Sequence, residues 1–156
     1  MGWCRSVRNN WRKFLGLSPA ERRFFLGATF LLPVVALALR FVGLRRCQAA
    51  LARLTPEARP AARPNRRAAD AARMVLAASR HSPCRADCLR RALVLWWLLR
   101  RAGLPGEMRI GVRKRDGQLE AHAWVESGDL VLDGDADGHP FVPFPGPIPL
   151  PELRRA

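Results

Sequence analysis

Three residues of this chain could together perform acyl transfer. Cys88 lies at the start of a stretch that reads as a helix of roughly residues 86–101, with a wide apolar surface of Leu89, Ala92, Leu93, Trp96, Trp97 and Leu99. The unpaired amides and dipole of a helix N-terminus favour an anion, and the thiolate is the nucleophilic form of cysteine. On position alone a small buried cysteine is the commoner case. His122 shifts the balance. It sits mid-strand in Glu120-Ala121-His122-Ala123-Trp124-Val125-Glu126, on the face opposite Ala121, Ala123 and Val125. By itself it reads equally well as a surface residue of a hairpin.

Counting the turns supplies its neighbours. Asp116-Gly117 is a two-residue hairpin signal, because both central positions of that turn require positive φ. It places Gly111 opposite His122, where a missing side chain would leave room for a substrate backbone. If Ser127-Gly128 form the next turn, Glu126 faces Asp129, Trp124 faces Val131 and His122 faces Asp133. Directly opposed side chains share a sheet face with Cβ atoms about 5 Å apart. A carboxylate beside an imidazole fixes its tautomer and stabilises the imidazolium. Shifting the turn by one residue sets Gly134 opposite His122, and shifting it by two sets Asp135 there. Asp133 is thus the expected acid, with Asp135 in reserve. A nucleophile, a base and an orienter arise from three consecutive elements, and the chemistry requires neither metal nor cofactor.

The elements that must position these residues follow from pattern. Ser18-Pro19-Ala20-Glu21 is a capping-box start. The helix after it is uncharged from Phe24 to Leu39, bracketed by Arg22-Arg23 and Arg40, and Pro33 is expected to kink it. Sixteen residues fall short of the ~20 that span a bilayer. A core or partner-facing helix is the leading reading, with membrane association through residues 24–39 second. A cleaved signal peptide is third, because the basic stretch before it is too long. Residues 55–67, with three prolines and five charges, read as a linker. From Asn65 a helix with a small-residue stripe (Ala68, Ala71, Ala72, Val75, Leu76, Ala78) is expected to run to about Arg80. After the second helix, Met108, Ile110 and Val112 alternate with Arg109, Gly111 and Arg113, and Leu130–Leu132 forms a third strand. The proline-rich tail from His139 cannot enter a sheet interior and is expected to run extended. The division is therefore a basic helical extension over 1–54, a linker over 55–67, an α+β core over 68–138, and a tail over 139–156.

The 156 residues suffice for a packed core without disulfides, and 49% hydrophobic content excludes a disordered chain. Twenty-seven basic against thirteen acidic residues give +14, and residues 1–80 carry +13 of it (sixteen basic, three acidic). An acidic partner, anionic lipid or nucleic acid should meet that half. No specific nucleic-acid motif is present, so none is expected as a partner. Two non-proteolytic readings compete. One is a basic adaptor using Trp3, Trp11 and the arginines. The other is a zinc site of His81, Cys84 and Cys88 completed by His122 or His139, although these lack the paired-cysteine spacing of common zinc sites.

The segments Cys88-Leu89-Arg90-Arg91-Ala92-Leu93, LWWLLRRAG (95–103), Arg109 to Arg113 and AHAWVE (120–126 with Glu120) closely resemble the leader peptidase of lasso peptide biosynthesis. That family belongs to the transglutaminase-like, papain-like cysteine protease superfamily, and the likeness is dense from about residue 66 to 135. It implies a transglutaminase-like core, with the nucleophile at a helix N-terminus packed on a small antiparallel sheet behind a helical extension. It implies Cys88 as nucleophile, His122 as base and Asp133 as the nearest match to the acid. It also implies a precursor peptide substrate and an asparagine-synthetase-like cyclase acting next. Residues 1–60 lack the strands of the family's winged-helix leader-recognition module, so a separate recognition protein is implied. The expected compartment is the cytoplasm, with or without membrane contact.

Overall fold

The computed structural model describes residues 16–54, 64–82, 87–133 and 141–145. The lead-in with Trp3 and Trp11, residues 55–63 of the linker, Cys84, Asp135, His139 and the end of the tail lie outside them.

Helix α1 (Pro19–Arg53) begins as its sequence dictates. The Ser18 amide donates to Glu21 Oε2 at 2.8 Å, the Glu21 amide donates to Ser18 Oγ at 3.3 Å, and Pro19 occupies the first turn, where no amide is needed. The expected kink at Pro33 is not where the backbone breaks. The non-helical residue is Gly43, at φ 79° and ψ 169°. A positive φ costs glycine little, so the bend settles there. Phe24, Ala28, Leu32 and Val35, and beyond the break Cys47, Leu51 and Ala52, are buried.

Helix α2 (Pro64–His81) starts one residue before the expected Asn65, because proline is tolerated in a first helical turn. Its stripe of Ala68, Ala71, Val75 and Ala78, with Met74, packs against α1. Arg73 bridges Asp70 and Glu21, tying the two helices across their polar edge.

Helix α3 (Cys88–Arg101) is the centre of the molecule. Eight consecutive residues, Ala92 to Leu99, are buried, so every side of the helix is covered. It contacts α1, α2 and the first two strands. The Trp97 indole donates to the Leu51 carbonyl at 2.9 Å. Leu104 N–H reaches back to the Leu99 carbonyl and Gly103 takes φ 69°, which closes the C-terminus.

Strands β1 (Glu107–Arg115), β2 (Gln118–Ser127), β3 (Leu130–Leu132) and β4 (Val142–Pro143) form one antiparallel sheet in the order β3-β2-β1-β4. The first hairpin is as expected. Arg115 pairs with Gln118 around Asp116 (φ 49°) and Gly117 (φ 79°), and Gly111 pairs with His122. The proline-containing tail joins at the sheet edge, where a missing amide does not interrupt a ladder.

The second hairpin differs from expectation by two residues in pairing register, its turn having moved on by one. Ser127 pairs with Leu130 and Glu126 with Val131, so Gly128-Asp129 make the turn. The cause is Ser127 itself. It is fully buried and its hydroxyl donates to the Pro105 carbonyl at 2.7 Å, which holds it in the strand. Gly128, at φ 58°, then takes the strained turn position.

Helix α1 takes the core position of its leading reading. Its Phe24, Ala28, Leu32 and Val35 join Leu93, Trp96, Met108, Ala123, Val125 and Leu132 in one continuous apolar cluster. Among the described residues, three helices followed by a four-stranded antiparallel sheet give an α+β fold.

Candidate active site

Cys88 is the first residue of α3 and is half-buried. The cap beneath it is Asp87, whose carboxylate accepts from the Arg90 amide at 3.0 Å and pairs with the Arg90 guanidinium at 3.5 Å. The positive end of α3 thus meets the Asp87 carboxylate, Arg90 offsets the added negative charge, and Cys88 packs partly buried against the apolar cluster. An acid immediately before an apolar helical run is a legible cap signal that the sequence reading passed over.

One turn further on, Arg91 Nε donates to Asp133 Oδ2 at 2.8 Å, and both side chains are largely buried. Asp133 directly follows β3 with φ 59°, in the left-handed region. Its backbone carbonyl, not its carboxylate, meets His122, with Nε2 at 2.9 Å. A carbonyl oxygen only accepts, so Nε2 carries the proton. The lone pair of the neutral ring is therefore on Nδ1, and Nδ1 is the basic atom. Among the described residues Nδ1 has no hydrogen-bond partner.

The geometry expected for Asp133, its carboxylate beside the imidazole, is therefore not found. The two-residue shift of the hairpin is the one that nominated Asp135, which lies outside the described residues. His122 and Asp133 are brought together through the main chain. Cys88 and His122 are linked indirectly, through Arg91 and Asp133. Among the described residues no hydrogen bond joins the thiol to the imidazole.

The imidazole is held by rings on its strand face. Trp124 stacks at 6.2 Å between centroids and 13° between planes, and Phe141 stacks at 5.0 Å and 24°. Trp124 Nε1 donates to Glu126, which also accepts from Arg109, and Arg113 lies over Phe141 at 4.3 Å while pairing with Glu120. Gly111 does not leave room for substrate, as its position had suggested. A Cβ there would lie 2.6 Å from the Val142 carbonyl oxygen and 2.8 Å from the Trp124 ring, so its missing side chain lets β4 and the indole close over the strand. Phe141, in a proline-rich tail, carried no signal for this role.

Residues 30–144 match the core domain of the transglutaminase-like superfamily. The chain belongs to that superfamily. No curated protein and no solved structure gives a match. Membership in the transglutaminase-like superfamily points to an enzyme of the cysteine hydrolase type, and the matched span begins inside α1, in keeping with that helix's place in the core.

Of the other cysteines, Cys47 is buried and burial pushes its thiol up, away from the reactive form. Cys4 and Cys84 lie outside the described residues. Among the described residues no three His, Cys, Asp or Glu side chains gather as a metal site, and the Cys84 and His139 of the zinc reading fall outside them.

Proposed function

We propose that this chain is a cysteine peptidase that removes the leader from a ribosomally made lasso precursor peptide before macrolactam closure. The observation that carries the chemistry is the contact of His122 Nε2 with the Asp133 carbonyl, which leaves Nδ1 as the base on a strand packed against the helix begun by Cys88. The substrate class rests on the likeness of Cys88-Leu89-Arg90-Arg91 and the AHAWVE segment to lasso leader peptidases.

In this reading His122 Nδ1 takes the proton of Cys88 Sγ, and the thiolate attacks the carbonyl at the leader–core junction. Backbone amides at the start of α3, that of Cys88 among them, receive the oxyanion. The C–N bond breaks, and His122 returns the proton to the amine of the core peptide. Water, deprotonated by His122, then attacks the thioester. The C–S bond breaks, the leader leaves as a carboxylic acid, and Sγ recovers its proton. Catalytic hydrogen bonds that are long in the free enzyme often tighten only with substrate bound, so the thiol and Nδ1 meet in that complex. The partners are a separate leader-recognition protein and an asparagine-synthetase-like cyclase that uses the freed amine, in the cytoplasm.

Mass spectrometry of a lasso precursor incubated with this chain and a recognition protein tests the reading. Cleavage is expected for the native chain and none for Cys88→Ala of unchanged melting temperature. Cleavage by that folded variant overturns the proposal.

A further inference from the structure

One face of α1 has no partner among the described residues. Leu26, Phe30, Val34, Leu37 and Phe41 recur at spacings of four, four, three and four, so they lie along one line of the helix about 22 Å long. Phe30 is 74% exposed and Phe41 73%, with Val34 and Leu37 at 60%. The opposite line, Phe24, Ala28, Leu32 and Val35, is the one buried in the core. Singly exposed apolar residues are ordinary, but a continuous strip headed by two phenylalanines is not.

The charges around the strip have one sign. Arg23 lies on the same line, seven residues before Phe30, and Arg40 borders the far end, with Arg45 and Arg46 just beyond the Gly43 break. All four are exposed, and among the described residues none has an ion-pair partner. The one acid of α1, Glu21, is engaged by Ser18 and Arg73. The sequence just ahead of the helix adds Trp3, Arg5, Arg8, Trp11, Arg12 and Lys13.

The geometry points to an anionic lipid surface as the occupant of this face, with α1 lying in the plane of the membrane. An apolar strip bracketed by arginines immerses its side chains at the acyl boundary while the guanidinium groups meet phosphate and carboxylate headgroups. The helix is long and apolar enough to cross a bilayer by composition. Crossing would strip Phe24, Ala28, Leu32 and Val35 from the core, and the uncharged stretch of residues 24–39, about 24 Å, is shorter than the ~30 Å hydrocarbon thickness. Lying flat requires no rearrangement, because the apolar face is already outside. This inference stands whether or not the chain cuts a leader peptide.

Co-sedimentation of the full chain with vesicles of phosphatidylcholine containing about one-third phosphatidylserine, against pure phosphatidylcholine, tests it. Binding to the anionic vesicles, weakened by added salt, is expected. Phe30→Ser with Phe41→Ser, both exposed and so foldable, should weaken it at least tenfold. Arg23→Gln and Arg40→Gln should each weaken it about fivefold, and less on neutral vesicles. Absence of binding overturns the inference. So does binding unchanged by the double serine variant, which would assign it to the basic lead-in alone. Sedimentation velocity supplies a further arm. A native dimer that the serine substitutions make monomeric, with vesicle binding unaltered, assigns the face to a second copy and overturns the lipid assignment.

Discussion

Asp133→Asn separates two ways of orienting His122. In the structure the carboxylate serves Arg91 at 2.8 Å and the main-chain carbonyl serves His122 at 2.9 Å. Asparagine tolerates a left-handed φ at least as well as aspartate, so the backbone at 59° is kept and the carbonyl stays in place. Its side-chain oxygen can still accept from Arg91. What is lost is the charge of one ion pair whose side chains are 23% and 14% exposed. Such a pair lies between the surface and buried limits, so its loss loosens the β3 end by about 1 kcal/mol. If all of that loosening reached the transition state, cleavage would slow by roughly fivefold. A carboxylate that itself orients the imidazole predicts a different scale, since replacing such an acid by its amide costs about 10⁴ in kcat. The assay is kcat/KM for precursor cleavage with the recognition protein present, alongside thermal melting. Nitrogen chemical shifts of His122 should report the Nε2-protonated tautomer in both native and variant proteins. A folded Asp133→Asn protein with a loss of three or more decades would refute the carbonyl argument, and a comparable loss confined to Asp135→Asn would move the acid there.

Two further substitutions address what surrounds the site. Gly111→Ala drives a Cβ to 2.6 Å from the Val142 carbonyl oxygen, a backbone atom that can retreat only by leaving β1, and into the Trp124 ring. Urea unfolding should show a loss of about 1–3 kcal/mol, with the Phe141 ring resonances released from the His122 stack. Stability within ~0.5 kcal/mol of native would mean that β4 does not press on Gly111. Glu21→Ala removes the capping box and the tie to Arg73, and should cost about 1 kcal/mol at neutral pH. The Glu21 carboxyl is held below its ordinary range, first by the Ser18 backbone N–H, then by the Ser18 hydroxyl and Arg73. A carboxyl lowered by folding stabilises above its unfolded pKa, and that stabilisation fades as pH falls through the range below. The gap between native and variant melting temperatures should therefore close as pH drops below about 4. A gap independent of pH would show that Glu21 acts without its charge.

The legible parts of the fold are those in which one local rule decides. Asp116-Gly117 admits one two-residue turn, so the pairing of Gly111 with His122 could be counted. Ser127-Gly128-Asp129 admits two turns of equal length, and the choice was made by a hydrogen bond to Pro105, twenty-two residues away. No local pattern carries that contact. The proline at 33 was weighted by its missing amide, yet the helix broke at Gly43, where positive φ is cheap. Cys88 and His122 stood out because their side chains are chemically distinctive. The carbonyl of Asp133 did not, because every residue has one, and only its left-handed backbone and its tie to Arg91 aim it at the imidazole. Arg91 was visible within Cys88-Leu89-Arg90-Arg91 but had no assigned role, since its partner lies forty-two residues on.

These two demands together explain why aspartate is present at 133, and they yield an ordering that a catalytic carboxylate would reverse. The position needs a residue that accepts φ 59° and a side chain that reaches the Arg91 guanidinium. Glycine and asparagine meet the first demand. Glutamate meets the second in charge but not the first, because a longer side chain without local backbone bonding adds about 1 kcal/mol of strain at left-handed φ. Its extra methylene also pushes the carboxylate beyond the 2.8 Å contact unless Arg91 moves. Relief of either problem rotates the peptide plane at 133 and takes the carbonyl away from Nε2. Asp133→Glu should therefore be slower than Asp133→Asn, although it keeps the charge and asparagine does not. For a triad acid the charge matters most, and glutamate should outperform asparagine by orders of magnitude. Paired kcat/KM measurements on the two variants, each checked for native melting, decide the matter by rank alone. Glutamate ranking above asparagine would return the orienting role to a carboxylate and remove the carbonyl from the mechanism.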